Sequence, residues 1–195
     1  MKHIIMIRNF GLFCKLNLIK NPYIILLKDI ASMRPGKLAC PGCRARHSLS
    51  RHDTYQRDFI IIVGGEIKIY SITIPRLICS SCGKTHAYLP AGIVPYSSYG
   101  LSFILTVLRL YYLKRYTVTA LCEKYCLSIS TLYKWIGLFK LHKGLWLDVI
   151  SNTRTSGITF ISYINRKDDF LKLFFLKAGK SFMQTSGFTI RSRRN

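Results

Sequence analysis

Apolar residues recur with two different periods along this chain, and the change of period divides it. Phe59 to Val63 are five apolar residues in a row, and after Gly64-Gly65 apolar side chains return at Ile67, Ile69, Tyr70, Ile72 and Ile74. A short apolar run, a glycine pair and an alternating run predict two strands joined by a tight turn. The alternation changes phase between Ile69 and Tyr70, which predicts a β-bulge in the return strand, 66–78. Beyond Pro95 the spacing becomes helical. Phe103, Ile104, Val107, Leu108 and Leu110 predict a helix over 96–113, opened by Pro95 and ended at Lys114-Arg115.

The stretch 117–141 reads as two helices around a short turn. The first spans 118–125, Cys126-Leu127-Ser128 form the turn, and the second spans 129–141. Leu121, Tyr125, Leu127, Leu132 and Trp135 fall on core positions, while Cys122 and Cys126 take the small positions at the crossing and the turn. Ser128 is placed to cap the second helix. Ile129, Ser130, Tyr133 and Lys134 are left facing outward near its N-terminus, the arrangement of a helix-turn-helix. The ends of the chain are less patterned. Ile4-Ile5-Met6-Ile7 and the run Tyr23 to Leu27 fit strand or helix equally well. A last helix over 170–177, with Asn165 as its N-cap, follows Arg166-Lys167-Asp168-Asp169, and Arg191-Ser192-Arg193-Arg194 make a basic end.

Cysteines add chemistry to the strand pair. Cys40-Pro41-Gly42-Cys43 precedes it and Cys79-Ser80-Ser81-Cys82 follows it. Two C-x-x-C turns bracketing a hairpin predict a closed tetrahedral site for one structural Zn²⁺, with Cys40, Cys43, Cys79 and Cys82 as ligands. Four sulfurs leave no open position for catalysis. His47, His52 and His86 lie near the site and are read as surface or supporting residues, Cys122 and Cys126 as packing residues, and Cys14 receives no role. The expected architecture is α+β, a small N-terminal β-hairpin zinc ribbon followed by an α-helical region containing a helix-turn-helix. In sequence this gives an N-terminal segment of unassigned role (1–33), a ribbon module (34–92), a helical module (95–143) and a helical, basic C-terminal extension (144–195).

Charge changes the picture most. The chain of 195 residues carries 30 Lys+Arg against 8 Asp+Glu, a formal +22. The excess is spread: net +4 over 1–33, +6 over 34–90, +6 over 109–143 and +6 over 144–195. Distributed positive charge suits a long polyanion touched at many points, and double-stranded DNA is the expected partner. In that reading Ile129, Ser130, Tyr133 and Lys134 reach base edges. Lys114, Arg115, Lys140 and Lys143 meet phosphates, and Arg44, Arg46, Arg76 and Lys84 extend the footprint over the ribbon. The alternative is a zinc-stabilised interaction module for RNA or an acidic protein.

No stretch reads as a signal peptide or a membrane span, so a cytoplasmic, nucleoid-associated protein without a membrane partner is expected. The eight acids are Asp29, Asp53, Asp58, Glu66, Glu123, Asp148, Asp168 and Asp169. They offer no carboxylate triad of the two-metal kind, and no nucleotide-binding or hydrolase motif is present, so no enzymatic activity is expected.

These residues carry a resemblance. Cys40-Pro41-x-Cys43, the arginine-bearing strand entering Cys79-x-x-Cys82, and the later helix pair resemble the N-terminal region of insertion-sequence transposases of the zinc-ribbon type. The run Cys79-x-x-Cys82-x-x-Thr85-His86-Ala87-x-Leu89-Pro90, followed by Val94-Pro95-Tyr96, is similar to a family of short uncharacterised bacterial proteins of mobile-element origin. The resemblance implies recognition of terminal DNA by these modules. It also implies a transposase accessory, relic or regulator lacking its own catalytic domain, with a transposase or a second copy of the chain as protein partner.

Overall fold

The computed structural model describes residues 7–9, 21–150, 156–166 and 169–185, with the backbone alone for 7–9, 147–150 and 166. Cys14, Ile4 to Met6, Lys167, Asp168 and the basic end 191–194 lie outside these residues, as does the side chain of Asp148.

The fold is mixed α+β. Strands β2 (Leu49–Val63) and β3 (Glu66–Cys79) pair antiparallel, and β3 pairs antiparallel with β4 (Thr85–Pro90). A short β1 (Ile7–Asn9) lies parallel to the outer side of β4, giving the order β1-β4-β3-β2. Gly64 and Gly65 both have positive φ, 62° and 87°, which is what a two-residue turn between right-twisted strands requires. The β3–β4 ladder stops at Arg76, one residue short of Pro75, which has no N–H to give.

The bulge is on the other strand. Register is continuous from Asp53↔Arg76 to Val63↔Glu66, and the shift falls between Arg51 and Asp53, leaving His52 as the extra residue of β2. The change of phase at Ile69 and Tyr70 has a different cause: both faces of the strand pair carry apolar residues, although Ile69 itself is exposed. Phe59, Ile61, Ile72 and Ile74 are buried with Leu26 of helix α1 (Pro22–Ser32), Ala87, Leu89 and Ile93. Ile60, Ile62 and Ile67 turn the opposite way and pack against the helices. Two apolar faces read in sequence as a slip when the strand has none.

Helix α1 resolves the ambiguity at Tyr23 to Leu27. Asn21 Oδ1 accepts from the Tyr23 N–H at 3.0 Å and Pro22 takes the first helical position, so local chemistry favours helix. Helix α2 (Leu101–Tyr112) begins five residues later than its proline suggests. Residues 98–100 are used to cover the far end of β2. The Ile60 N–H donates to Ser98 O at 2.8 Å, and the Gly100 N–H donates to Ile60 O at 2.9 Å. A Cβ on Gly100 would stand 2.8 Å from the Phe59 ring, so glycine permits the close approach that locks helix to sheet.

Helices α3 (Val118–Lys124) and α4 (Ile129–Ile150) follow, the first capped by Thr117, whose Oγ1 accepts from the Ala120 N–H at 3.2 Å. Helix α4 continues nine residues past the end expected at Leu141, and beyond that point His142 and Trp146 are buried in the core that α5 (Gly157–Arg166) and α6 (Phe170–Ala178) complete. Asn165 lies within α5, so it does not cap the last helix; Asp169 is the N-cap residue there, and its side chain makes no capping bond. Phe139, His142 and Trp146 of α4 meet Phe160, Phe170, Phe174 and Phe182. Helices α5 and α6 and the residues up to Met183 are thereby part of the same core as α2 and α3. Among the described residues no helix is long and apolar enough to cross a membrane.

One polar group in this aromatic core makes stability depend on pH. His142 is fully buried, its Nδ1 accepts from the Met183 N–H at 3.0 Å, and its Nε2 has no partner among the described residues. Burial first, and the charge of Lys180 second, push its pKa down to about 4 from 6.5. The unfolded chain therefore binds a proton that the folded one refuses between these values. Stability should be full above pH 6.5 and fall as pH drops toward 4, by about 3 kcal/mol. Denaturant unfolding at pH 7.5, 5.5 and 4.5 should show this loss in the wild type and a much smaller one in His142→Gln.

Candidate metal centre and basic helix face

Each knuckle closes on itself in the same way. In the first, the Arg44 N–H donates to Cys40 O at 2.8 Å and the Cys40 N–H to Ala45 O at 2.9 Å. In the second, the Gly83 N–H donates to Cys79 O at 2.8 Å and the Cys79 N–H to Lys84 O at 3.0 Å. Both turns need a left-handed residue after the second cysteine. Gly83 supplies it at φ 66°, whereas the first knuckle uses Arg44 at φ 64°, a conformation that costs a side-chain-bearing residue about 1 kcal/mol. The 35 residues between Cys43 and Cys79 are accounted for by the length of β2 and β3, which carry the chain away and return it in register, with Leu49 opposite Cys79.

The four sulfurs converge. Cys40 Sγ lies 3.7 Å from Cys82 Sγ, Cys43 Sγ lies 3.7 Å from Cys79 Sγ, and all four fall within 4.8 Å of one another. A tetrahedral ion with bonds of about 2.3 Å sets its sulfurs about 3.8 Å apart, so the cluster fits an ion such as zinc. Among the described residues this is the one group of three or more Cys, His, Asp or Glu close enough to share an ion. Cys40 and Cys79 are buried, Cys82 is half-buried and Cys43 is exposed.

Surrounding groups are arranged for thiolates. The Ser48 hydroxyl is 3.3 Å from Cys79 Sγ, and with the amides of Cys82 and Ser81 it pulls that thiol down to about 6. The Gly42 N–H donates to Cys40 Sγ at 3.3 Å, and His86 Nε2 lies 3.2 Å from the same sulfur. For Cys43 a backbone bond involving Ala45 favours ionisation, but burial and the other three thiols outweigh it and push the thiol up to about 12. Four thiols this close do not ionise together unaided, and a divalent cation removes the obstacle. His86 is fully buried beside the ligands, whereas His47 and His52 are exposed. Cys122 is buried against α4 and Cys126 is exposed at φ 50°, apart from the cluster.

The expected nucleic-acid contacts divide by location. Arg44, Arg46 and Lys84 are exposed on the knuckles, and the Lys84 stem lies against Gly42 of the opposite turn. Arg76 is different: its guanidinium grips both carboxylate oxygens of Asp53 across the β2–β3 pair, with Nε donating to Oδ1 at 2.6 Å. It also holds the Asp53 carboxyl below the usual range, so Arg76 is a cross-strand tie rather than a free cation. Lys114, Arg115, Lys134 and Lys140 are exposed, while Lys143 is half-buried and already engaged.

At the start of α4, Ser128 Oγ accepts from the Thr131 N–H at 3.1 Å. Leu121, Tyr125, Leu127, Leu132 and Trp135 are buried, and Ile129, Ser130, Tyr133 and Lys134 are exposed. Cys126 occupies the left-handed turn position between α3 and α4 where glycine is the common choice.

The sequence between the first ligand cysteine and the core tryptophan of α4 is the part shared with other proteins. Residues 40–135 match the family model described as a domain of unknown function (DUF6431). The DUF6431 match therefore takes in the four-cysteine cluster, the strand pair, α2, α3 and the first turns of α4. No curated protein and no solved structure matches the chain.

Three features of these surfaces depend on the folded arrangement, although the sequence already places His86 near the site. His86 sits two positions inside β4 and becomes part of the site only because β4 pairs with β3 beside Cys79. Ser48 reaches Cys79 through the register of Leu49. The contact between Tyr116 and Lys124 spans eight residues across a connection and a helix.

Proposed function

We propose that this chain is a double-stranded DNA-binding protein in which a zinc ribbon, clamped by one structural Zn²⁺ on Cys40, Cys43, Cys79 and Cys82, supports a helix-turn-helix formed by α3 and α4. The observation that carries the reading is the unanswered positive charge around the start of α4. Arg109, Lys114, Arg115, Lys134 and Lys140 make no ion pair among the described residues, and Glu123 is the one acid between 67 and 147. Cations kept exposed without acidic partners suit phosphate oxygens, which accept hydrogen bonds and carry charge along the whole duplex.

In this reading Ser130, Tyr133 and Lys134 enter the major groove, and Ile129 adds an apolar contact for a thymine methyl. Lys114, Arg115 and Lys140 hold the flanking backbone. Arg44, Arg46 and Lys84 on the knuckles add a second region of contact, and the strained backbone at Arg44 fits a position kept for its side chain. Arg76 and Lys143 are left out of the footprint. No catalytic step is attached to the chain. The role of accessory, relic or regulator of a mobile element rests on the cysteine and Thr85-His86 pattern, and neighbouring reading frames encoding a transposase catalytic domain would support it.

Competition for the full-length, metal-replete protein tests the reading. A labelled random-sequence duplex should be displaced by unlabelled duplex at lower concentration than by single-stranded RNA or polyglutamate. Preferential displacement by RNA or by the acidic peptide would replace DNA with that class of partner.

A further inference from the structure

The connection between α2 and α3 brings a phenol and an ammonium together at the surface. Lys124 Nζ donates to the Tyr116 hydroxyl oxygen at 2.8 Å, and it also lies 4.6 Å over the Tyr116 ring. The ring of buried Tyr125 is 5.9 Å away, so two aromatic faces hold the ammonium in place. Arg115 adds its charge: with the Lys124 hydrogen bond as the larger cause, it lowers the Tyr116 hydroxyl below its ordinary value. Lys114 precedes it at φ 54°. Glu123, the adjacent acid, pairs with none of these cations.

We propose that Tyr116 and Lys124, with Arg115 beside them, form a seat for one phosphate group of the nucleic-acid backbone. The proposal rests on the duplex-binding reading above and adds a contact that the sequence pattern does not indicate. Its logic is in the donor count. The Tyr116 oxygen already accepts from Lys124, so the phenolic hydrogen is free to donate outward. The ammonium keeps two further N–H groups. A phosphodiester accepts at two oxygens and donates at none, so it fits both groups at once. Location agrees as well, because Lys124 ends α3 and only four residues separate it from the first residue of α4. Contacts of this kind set the register of a reading helix on the duplex without reading bases.

The competing account is a clasp that merely ties the 113–117 connection to α3. The two separate in a salt titration of full-length protein on a random-sequence duplex, with Lys28→Gln on α1 as the control. Lys124→Gln should reduce the slope of log K against log salt by about 0.9, the loss of one phosphate contact. Tyr116→Phe removes a neutral donor, so affinity should fall about fivefold at every salt concentration with the slope unchanged. Lys28→Gln should change neither. If both variants keep wild-type affinity and slope while their unfolding midpoints fall, the pair is a clasp and the phosphate seat is overturned. If the wild type itself fails to bind duplex, the DNA reading has failed and the seat goes with it.

Discussion

Chelation of the proposed zinc from the full-length protein is expected to open the knuckle end of the sheet and leave the helical core folded. The two regions differ in how much they bury. Around the cysteines the core consists of Met33, Cys40, Leu49, Leu77, Cys79 and Tyr88, with Ile30, Leu38 and Cys82 partly covered. The helical core holds 23 buried side chains from Val94 to Met183, nine of them Phe, Tyr or Trp, and has no need of an ion. Structural zinc in small modules supplies about 10–16 kcal/mol of folding free energy, far more than six side chains retain after chain ordering is subtracted. The expected pattern can be read amide by amide in hydrogen exchange. Cys40, Arg44, Cys79 and Gly83, whose N–H groups close the knuckles, should lose protection when the ion leaves. Ile104, Leu121 and Leu132 should keep it. Cys79→Ser should reproduce the effect without chelator, because that sulfur is buried and supported by Ser48. Unchanged protection at the knuckles, or loss throughout, would contradict the assignment of the ion to this cluster.

The second large effect concerns the exposed row on α4. Ser130→Ala combined with Lys134→Ala should relax sequence preference, since each good base contact is worth about 1–3 kcal/mol of discrimination. Selection from a random duplex library should yield a defined site with the wild type and a broader one with the double variant. Lys114→Ala should behave differently, weakening all sequences by the same factor, because the proposed footprint gives it phosphate contacts alone. Both substitutions are at exposed positions, so thermal unfolding should be nearly unchanged and the comparison is not confounded by misfolding. A wild type that selects no site, yet binds duplex, would leave α4 a backbone-binding helix without a reading function.

How much of this was visible in the residues follows from the range of the interactions involved. The knuckles could be read because a metal needs its ligands at short, fixed spacing, and C-x-x-C with a bracketed strand pair satisfies that locally. Ser128 and Leu127 likewise act within a few residues of the turn they belong to. The start of α2 could not be read, because Gly100 is held by Phe59 and Ile61, some forty positions away. The bulge lies on β2 and not on the return strand, and this could not be read for a related reason: Ile67 and Ile60 face a helical core whose position no strand pattern reveals. Arg76 looked like one more free cation until the register set it opposite Asp53. The extension of α4 beyond Leu141 depends on Phe170, Phe174 and Phe182, which meet it only in the folded chain. His142, a histidine among leucines and lysines in sequence, becomes a buried acceptor for the same reason.

The central claim is that a metal-clamped chain binds duplex DNA through many phosphate contacts, and its salt dependence is the most direct measure. With metal-replete, full-length protein, log K for a duplex should fall linearly with log salt, with a slope of about −4.5 to −6.3 for about five to seven neutralised phosphates. An isotherm that stays flat between low and moderate salt would contradict it.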